Sequence, residues 1–103
     1  MKQNKVYSLL GLAMKGRNIA SGEFQTLEAV KCQTAEMVIV SQDASDNTKK
    51  LFRDKCSFYE VPVFEFGTKE ELGQAIGKDL RSSLAVCDAG LATAIMKQLE
   101  TMQ

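Results

Sequence analysis

The sequence predicts an α/β domain with helices packed on both faces of a small central sheet. Three observations carry this. Helical and extended segments alternate along the chain. The main extended segments are apolar at every position, the mark of strands buried on both faces. The helical segments are apolar on one side only, so each needs a surface to lie against. At 103 residues the chain suits a single domain, 1–103, built on one core.

Val6, Leu9, Leu10, Ala13 and Met14 recur at helical spacing, which predicts an amphipathic helix over about 3–15. Gly16 is its expected stop, with Lys15 or Arg17 suiting the C-terminal end. Asn18-Ile19-Ala20-Ser21 reads as a short extended piece. Ser21 or Gly22 then caps a second helix over about 23–33, with Leu27 and Val30 inward and Glu23 favourable to the helix dipole. Met37-Val38-Ile39-Val40 is a buried strand. A polar loop, Ser41 to Asp46, precedes a helix over about 46–57 that turns Leu51, Phe52 and Cys56 to one side. Val61 to Phe66 reads as a strand, and Pro62 places its start or its whole length at a sheet edge. Thr68 with Glu71 forms a capping-box pattern for a short helix. Gly73 and Gly77 interrupt the next stretch. Leu84-Ala85-Val86-Cys87 is a second buried strand. Asp88 starts the last helix, which carries Leu91, Ile95 and Leu99, and Thr101-Met102-Gln103 is expected to fray.

Composition removes several function classes. Hydrophobic residues make up 45% and charged residues 25%, so disorder along the chain is not expected. No run of about eighteen apolar residues could span a membrane. The basic start, Met1 to Lys5, leads into an apolar run too short for a signal peptide, which points to a cytoplasmic protein. Cys32, Cys56 and Cys87 are far apart and form no CxxC pair. They read as reduced, partly buried thiols, with no metal and no cofactor implied. The chain has no histidine and so lacks the commonest general base.

Formal net charge is zero, from 13 basic and 13 acidic residues. The distribution is uneven. Residues 1–22 carry Lys2, Lys5, Lys15 and Arg17 and no acid, whereas 60–71 carry Glu60, Glu65, Glu70 and Glu71 against Lys69 alone. A local positive face can attract phosphate even in a neutral protein.

Nucleotide-binding loops are absent. Gly73 to Lys78 is glycine-rich but comes after a helix and before a strand, the reverse of the phosphate-binding context. Asp43, Asp46 and Asp54 could suggest a metal cluster, but capping of a helix start explains Asp43 and Asp46 more simply. Ser21-Gly22-Glu23-Phe24-Gln25-Thr26 is more informative. A glycine opens a helix whose first turn sets polar side chains beside bare backbone N–H groups, which suits a phosphate and a base edge together. Gln25 can donate and accept in one plane, as base reading requires. A simple capped helix would use the same residues.

Leu9-Leu10-Gly11-Leu12-Ala13 with Lys15 and Arg17, the helix start Gly22 to Thr26, Val38-Ile39-Val40 followed by Asp43-Ala44-Ser45 and Asn47-Thr48, the run from Cys56 to Pro62, and Leu72 to Lys78 occur in a characteristic order and spacing. In this the chain resembles the kink-turn RNA-binding ribosomal proteins of the L-seven-Ae and L-thirty-e type, the short bacterial members above all. The resemblance implies a three-layer α/β/α sandwich with a four-stranded mixed sheet. It also implies binding at a sharp RNA bend with tandem sheared G·A pairs. Carried onto this chain, Gly22, Glu23, Phe24, Gln25 and Thr26 would meet the G·A region. The apolar loop Gly73, Ala75, Ile76 and Gly77 would cover an extruded base, and Lys15 and Arg17 would hold phosphates. Partners would be a kink-turn or ribosomal RNA, and other RNA-associated proteins. Phe24 and Glu28 depart from the family, which usually has Asn or Lys at the first position and often Lys at the second; Phe24 cannot hydrogen-bond a guanine edge, and it either stacks or turns into the core at i, i+3 with Leu27. Those departures and the neutral charge favour the alternative, a protein-interaction module on the same fold. Neither reading is enzymatic.

Overall fold

A computed structural model describes residues 4–101. Five helices and four strands alternate: α1 Lys5–Lys15, β1 Ile19–Ser21, α2 Glu23–Lys31, β2 Met37–Val40, α3 Asp46–Tyr59, β3 Val63–Glu65, α4 Lys69–Ala75, β4 Ser83–Val86 and α5 Ala89–Thr101. The strands form one mixed sheet in the order β1-β4-β2-β3. β4 runs antiparallel to both β1 and β2, and β3 runs parallel to β2.

The two uniformly apolar runs became the two central strands, and every side chain of β2 and β4 is buried. Alternation across the pleat sends Met37, Ile39, Leu84 and Val86 into one core with Val6, Leu10, Leu72, Ile95 and Leu99 of α1, α4 and α5. Val38, Val40 and Ala85 face a second core with Val30, Phe52 and Cys56 of α2 and α3. These are the three layers. The edges fall to the short strands β1 and β3. Pro62, which has no N–H to give, stands just before β3, and its carbonyl accepts the Val38 N–H at 2.9 Å.

Several ends differ from the sequence expectation. Asn4 caps α1, so that helix starts at Lys5; residue 3 lies outside the described residues. α2 stops two residues early because Gln33 turns into the left-handed region at φ 63°. α3 runs two residues further, to Tyr59, and is closed by Glu60 at φ 60°. Thr101 does not fray: it ends α5 with its hydroxyl on the Gln98 carbonyl at 2.9 Å, while residues 102 and 103 lie outside the described residues. Leu27, Leu51 and Leu91 are only half-buried, their helices being centred instead on Thr26 and Val30, Phe52 and Cys56, and Ala92 and Ile95.

The largest revision concerns Gly73. It does not interrupt a helix but lies inside α4, and it is buried. Residues after α4 double back along it, with the Lys78 N–H on the Gly73 carbonyl at 2.8 Å and the Arg81 N–H on the Lys69 carbonyl at 3.0 Å. A Cβ at Gly73 would overlap the Asp79 carbonyl. The glycine is there so that this returning segment can lie on the helix.

Cys56 is buried and Cys87 half-buried, whereas Cys32 is exposed at the end of α2, against the expectation that all three fill core space. No helix among the described residues is long and apolar enough to cross a membrane.

Candidate RNA-binding surface

Strand directions gather four loops at one end of the sheet. β1, β2 and β3 finish there and β4 begins there. The Gly22 N–H donates to the Ser83 carbonyl at 3.0 Å, the Ser41 N–H to Ser82 at 2.9 Å, and the Gln42 N–H to Gly67 at 2.8 Å. The Asp43 carboxylate accepts the Lys69 N–H at 2.9 Å. Arg81 Nε donates to Ser21 Oγ at 3.2 Å. Ser21–Gly22, Ser41–Asp43, Gly67–Lys69 and Arg81–Ser83 are thus stitched into one surface, from which α2, α3 and α4 all depart.

Desolvation would raise the Asp43 carboxyl. Hydrogen bonding to the carboxylate, the Lys69 N–H included, outweighs it and holds the group below the ordinary aspartate range. Asp43 therefore serves the start of α4 rather than that of α3. The α3 cap is Ser45, whose hydroxyl accepts the Thr48 N–H at 3.2 Å. Thr68 and Glu71 close α4 with the expected capping box. Asn4 caps α1, and Asp88 accepts the Leu91 N–H at 2.8 Å at the head of α5. Only α2, among the five described helices, has no side-chain cap.

Its N-cap is Gly22, at φ 87° and ψ 158°, a region essentially closed to residues with a Cβ. Space is not the constraint, because a Cβ at Gly22 would touch nothing within 4 Å. The glycine is needed for the backbone direction. It turns the chain sharply from β1 into α2 and leaves the N–H groups of the first turn facing outward, at the positive end of the helix.

The structure separates the expected site residues. Glu23, Phe24 and Gln25 are exposed on that first turn. Thr26 is not: it is fully buried, and its hydroxyl makes long hydrogen bonds with the Ala20 carbonyl at 3.4 Å and Ser83 Oγ at 3.5 Å. Its expected RNA contact is replaced by a positioning role, pinning α2 to β1 and β4. Ile76 is 3% exposed and belongs to the α1/α4/α5 core, so it offers no floor for a base. Gly73 is buried, Ala75 is half-buried in the last turn of α4, and Gly77 turns the chain at φ 71°. These residues sit at the far end of α4, on the order of 10 Å from its start for a helix of that length. The part of this loop that reaches α2 is Arg81, and its exposed apolar residue is Leu80, 63% accessible. Sequence reasoning missed Leu80 and Arg81 because only the chain reversal over Gly73 puts them there.

Lys15 and Arg17 lie towards the other end of the sheet. They precede β1, whose first residue, Ile19, pairs with Val86 at the opposite end of the sheet, and the Cys87 N–H donates to the Asn18 carbonyl at 2.8 Å. Four residues, three of them the strand β1, separate Arg17 from Gly22, a span on the order of 15 Å. They do not rim the α2 surface.

The chain is thus a small three-layer α/β domain with one uncapped helix start beside a cation-bearing loop. The family model described as Ribosomal protein L7Ae/L30e/S12e/Gadd45 matches residues 4–96, and the chain belongs to that family. The chain is 39% identical over 98 residues to a protein of Enterococcus faecium named RNA-binding protein YlxQ, covering 95% of this chain and 94% of that one. It is 37% identical over 94 residues to the Bacillus subtilis (strain 168) protein of the same name, covering 91% and 94%. A solved structure of a protein with unknown function from Bacillus halodurans C superposes with a TM-score of 0.92 at 40% identity, covering 95% of this chain and 99% of that one.

Proposed function

We propose that this chain is a cytoplasmic, non-catalytic RNA-binding protein that takes a sharply bent RNA of the kink-turn class at the sheet end where α2 begins. The single observation that carries the reading is the uncapped start of α2 at Gly22, when the other four described helices are capped by side chains. Unsatisfied N–H donors at a helix N-terminus suit a phosphate or a base edge. Gln25, exposed on the same turn, supplies a planar donor and acceptor for a base edge. Arg81 supplies charge, and Leu80 an apolar contact for an unstacked base. The relatives named RNA-binding proteins share nearly the whole length of the chain, which supports carrying that activity over.

The test is a titration of the protein against a kink-turn RNA and a copy whose G·A pairs are changed. Preferential binding to the intact kink-turn is expected. Equal binding to both, or to neither, would decide for a protein-interaction module. The structure adds one observation to the departures at Phe24 and Glu28 in favour of that second reading: Phe58, 77% exposed on α3, stacks edge-on against Tyr59 at the end remote from Gly22.

A further inference from the structure

We infer that Phe24 is a specificity-determining residue of the RNA surface, one that stacks on an unpaired nucleobase rather than reading the edge of a base pair. This rests on the RNA-binding reading above. Sequence spacing allowed the ring to turn inward beside Leu27, but the structure puts it outside, 75% exposed. At roughly 100° per residue, Phe24 lies about 160° around α2 from the buried Thr26, on the face directed away from the sheet. It belongs to neither aromatic pair of the described residues, Tyr7–Phe66 or Phe58–Tyr59.

A large ring held out in water with nothing to cover it gains nothing for folding. Its surroundings favour a nucleic acid as the cover. A helical side chain leans towards the N-terminus of its helix, so the ring tilts to the end where the α2 N–H groups are free. Arg81 is anchored to Ser21, immediately before Gly22. An aromatic face on the turn that carries free backbone donors, with a cation anchored at Ser21 three residues earlier, matches a base with its phosphate. A phenyl ring has no donor or acceptor, so it selects an unstacked base by shape and contributes nothing to edge reading.

The chain contains no tryptophan, so Phe24→Trp would introduce a single indole reporter at the contact. Wild type, Phe24→Trp and Phe24→Leu would be titrated with a kink-turn RNA carrying 2-aminopurine at an unpaired loop position, with circular dichroism to verify each fold. Stacking predicts that wild type and Phe24→Trp bind comparably, that indole emission is quenched by the RNA, and that Phe24→Leu binds roughly 5- to 150-fold more weakly. If wild type binds the RNA and Phe24→Leu binds equally well, the stacking role is overturned while RNA binding stands, and the ring becomes a protein contact. If wild type binds no RNA, both readings fall together.

Discussion

The Arg81 guanidinium donates to the Ser21 hydroxyl at 3.2 Å, across 60 residues of sequence. This contact joins the chain segment before β4 to the residue before the α2 cap, and it places the side chain best able to meet phosphate at the candidate surface. Arg81 also donates to its neighbour's carbonyl, Leu80, at 2.9 Å, so its guanidinium is oriented from two sides. Replacing Arg81 by Ala should weaken binding across many RNAs and reduce the salt slope by about 1. Arg17→Ala, at the other end of the sheet, should leave both quantities near wild type. Titrations at several salt concentrations would compare them, and a larger loss from Arg17 would put the charge contact on the wrong face here.

Gln25→Ala should cost about 1–3 kcal/mol of binding to an intact kink-turn, the scale of one good base contact. Its thermal unfolding should match wild type, because the side chain is exposed. Undiminished affinity would leave recognition to the backbone donors and neighbouring side chains.

Gly22→Ala should destabilise the fold by about 1–3 kcal/mol, although its methyl group would meet open space. The cost comes from φ 87° and ψ 158°, which alanine adopts only under strain. Denaturant unfolding would measure it. A neutral result would show that the chain can enter α2 by another route. The RNA titration run beside it should show a further loss, because the outward direction of the α2 donors depends on this turn.

The features legible in the sequence and those hidden from it divide along one physical line. Met37 to Val40 and Leu84 to Val86 announced themselves because a strand buried on both faces must be apolar at every position, a purely local requirement. The Thr68–Glu71 box was equally local. Gly73 was misread because its reason is tertiary: the Asp79 carbonyl comes from a segment whose path no local pattern reveals. The same reversal decides that Ile76 is core and Leu80 is surface, although both are apolar and four residues apart. Lys15 and Arg17 are near Gly22 in sequence, but an intervening strand carries the chain from one end of the sheet to the other, which no local pattern reveals. Phe24 was ambiguous because i, i+3 spacing to Leu27 fits either an inward or an outward ring. Packing against β1 and β4 settled the helix phase, through Thr26.

Gly73→Ala should separate the fold from the loop. Its methyl group would force the 78–80 segment off α4, and over-packing of this kind costs about 1–3 kcal/mol. The loss should appear in denaturant unfolding and in faster hydrogen exchange at Lys78, whose N–H is held by the Gly73 carbonyl. RNA binding should weaken too, since Arg81 would lose its register beside Ser21. Normal stability with normal exchange would mean the reversal has room that its geometry does not suggest.

Burial pushes the Cys56 thiol up from its ordinary value to about 11. The folded state therefore holds the thiol proton more tightly than the unfolded chain does. Its contribution to stability is fully present below the unfolded value near 9 and is lost as pH rises through the folded one. Wild-type stability should fall between pH 9 and about 11, and Cys56→Ala should flatten that fall while lowering stability at neutral pH by removing a buried side chain. Thiol labelling offers an independent check at neutral pH. Cys32, exposed at the end of α2, should react first, and Cys56 only as fast as the protein opens. Rapid modification of Cys56 in the native protein would place it outside the α2/α3 core and undercut the packing assigned to that layer.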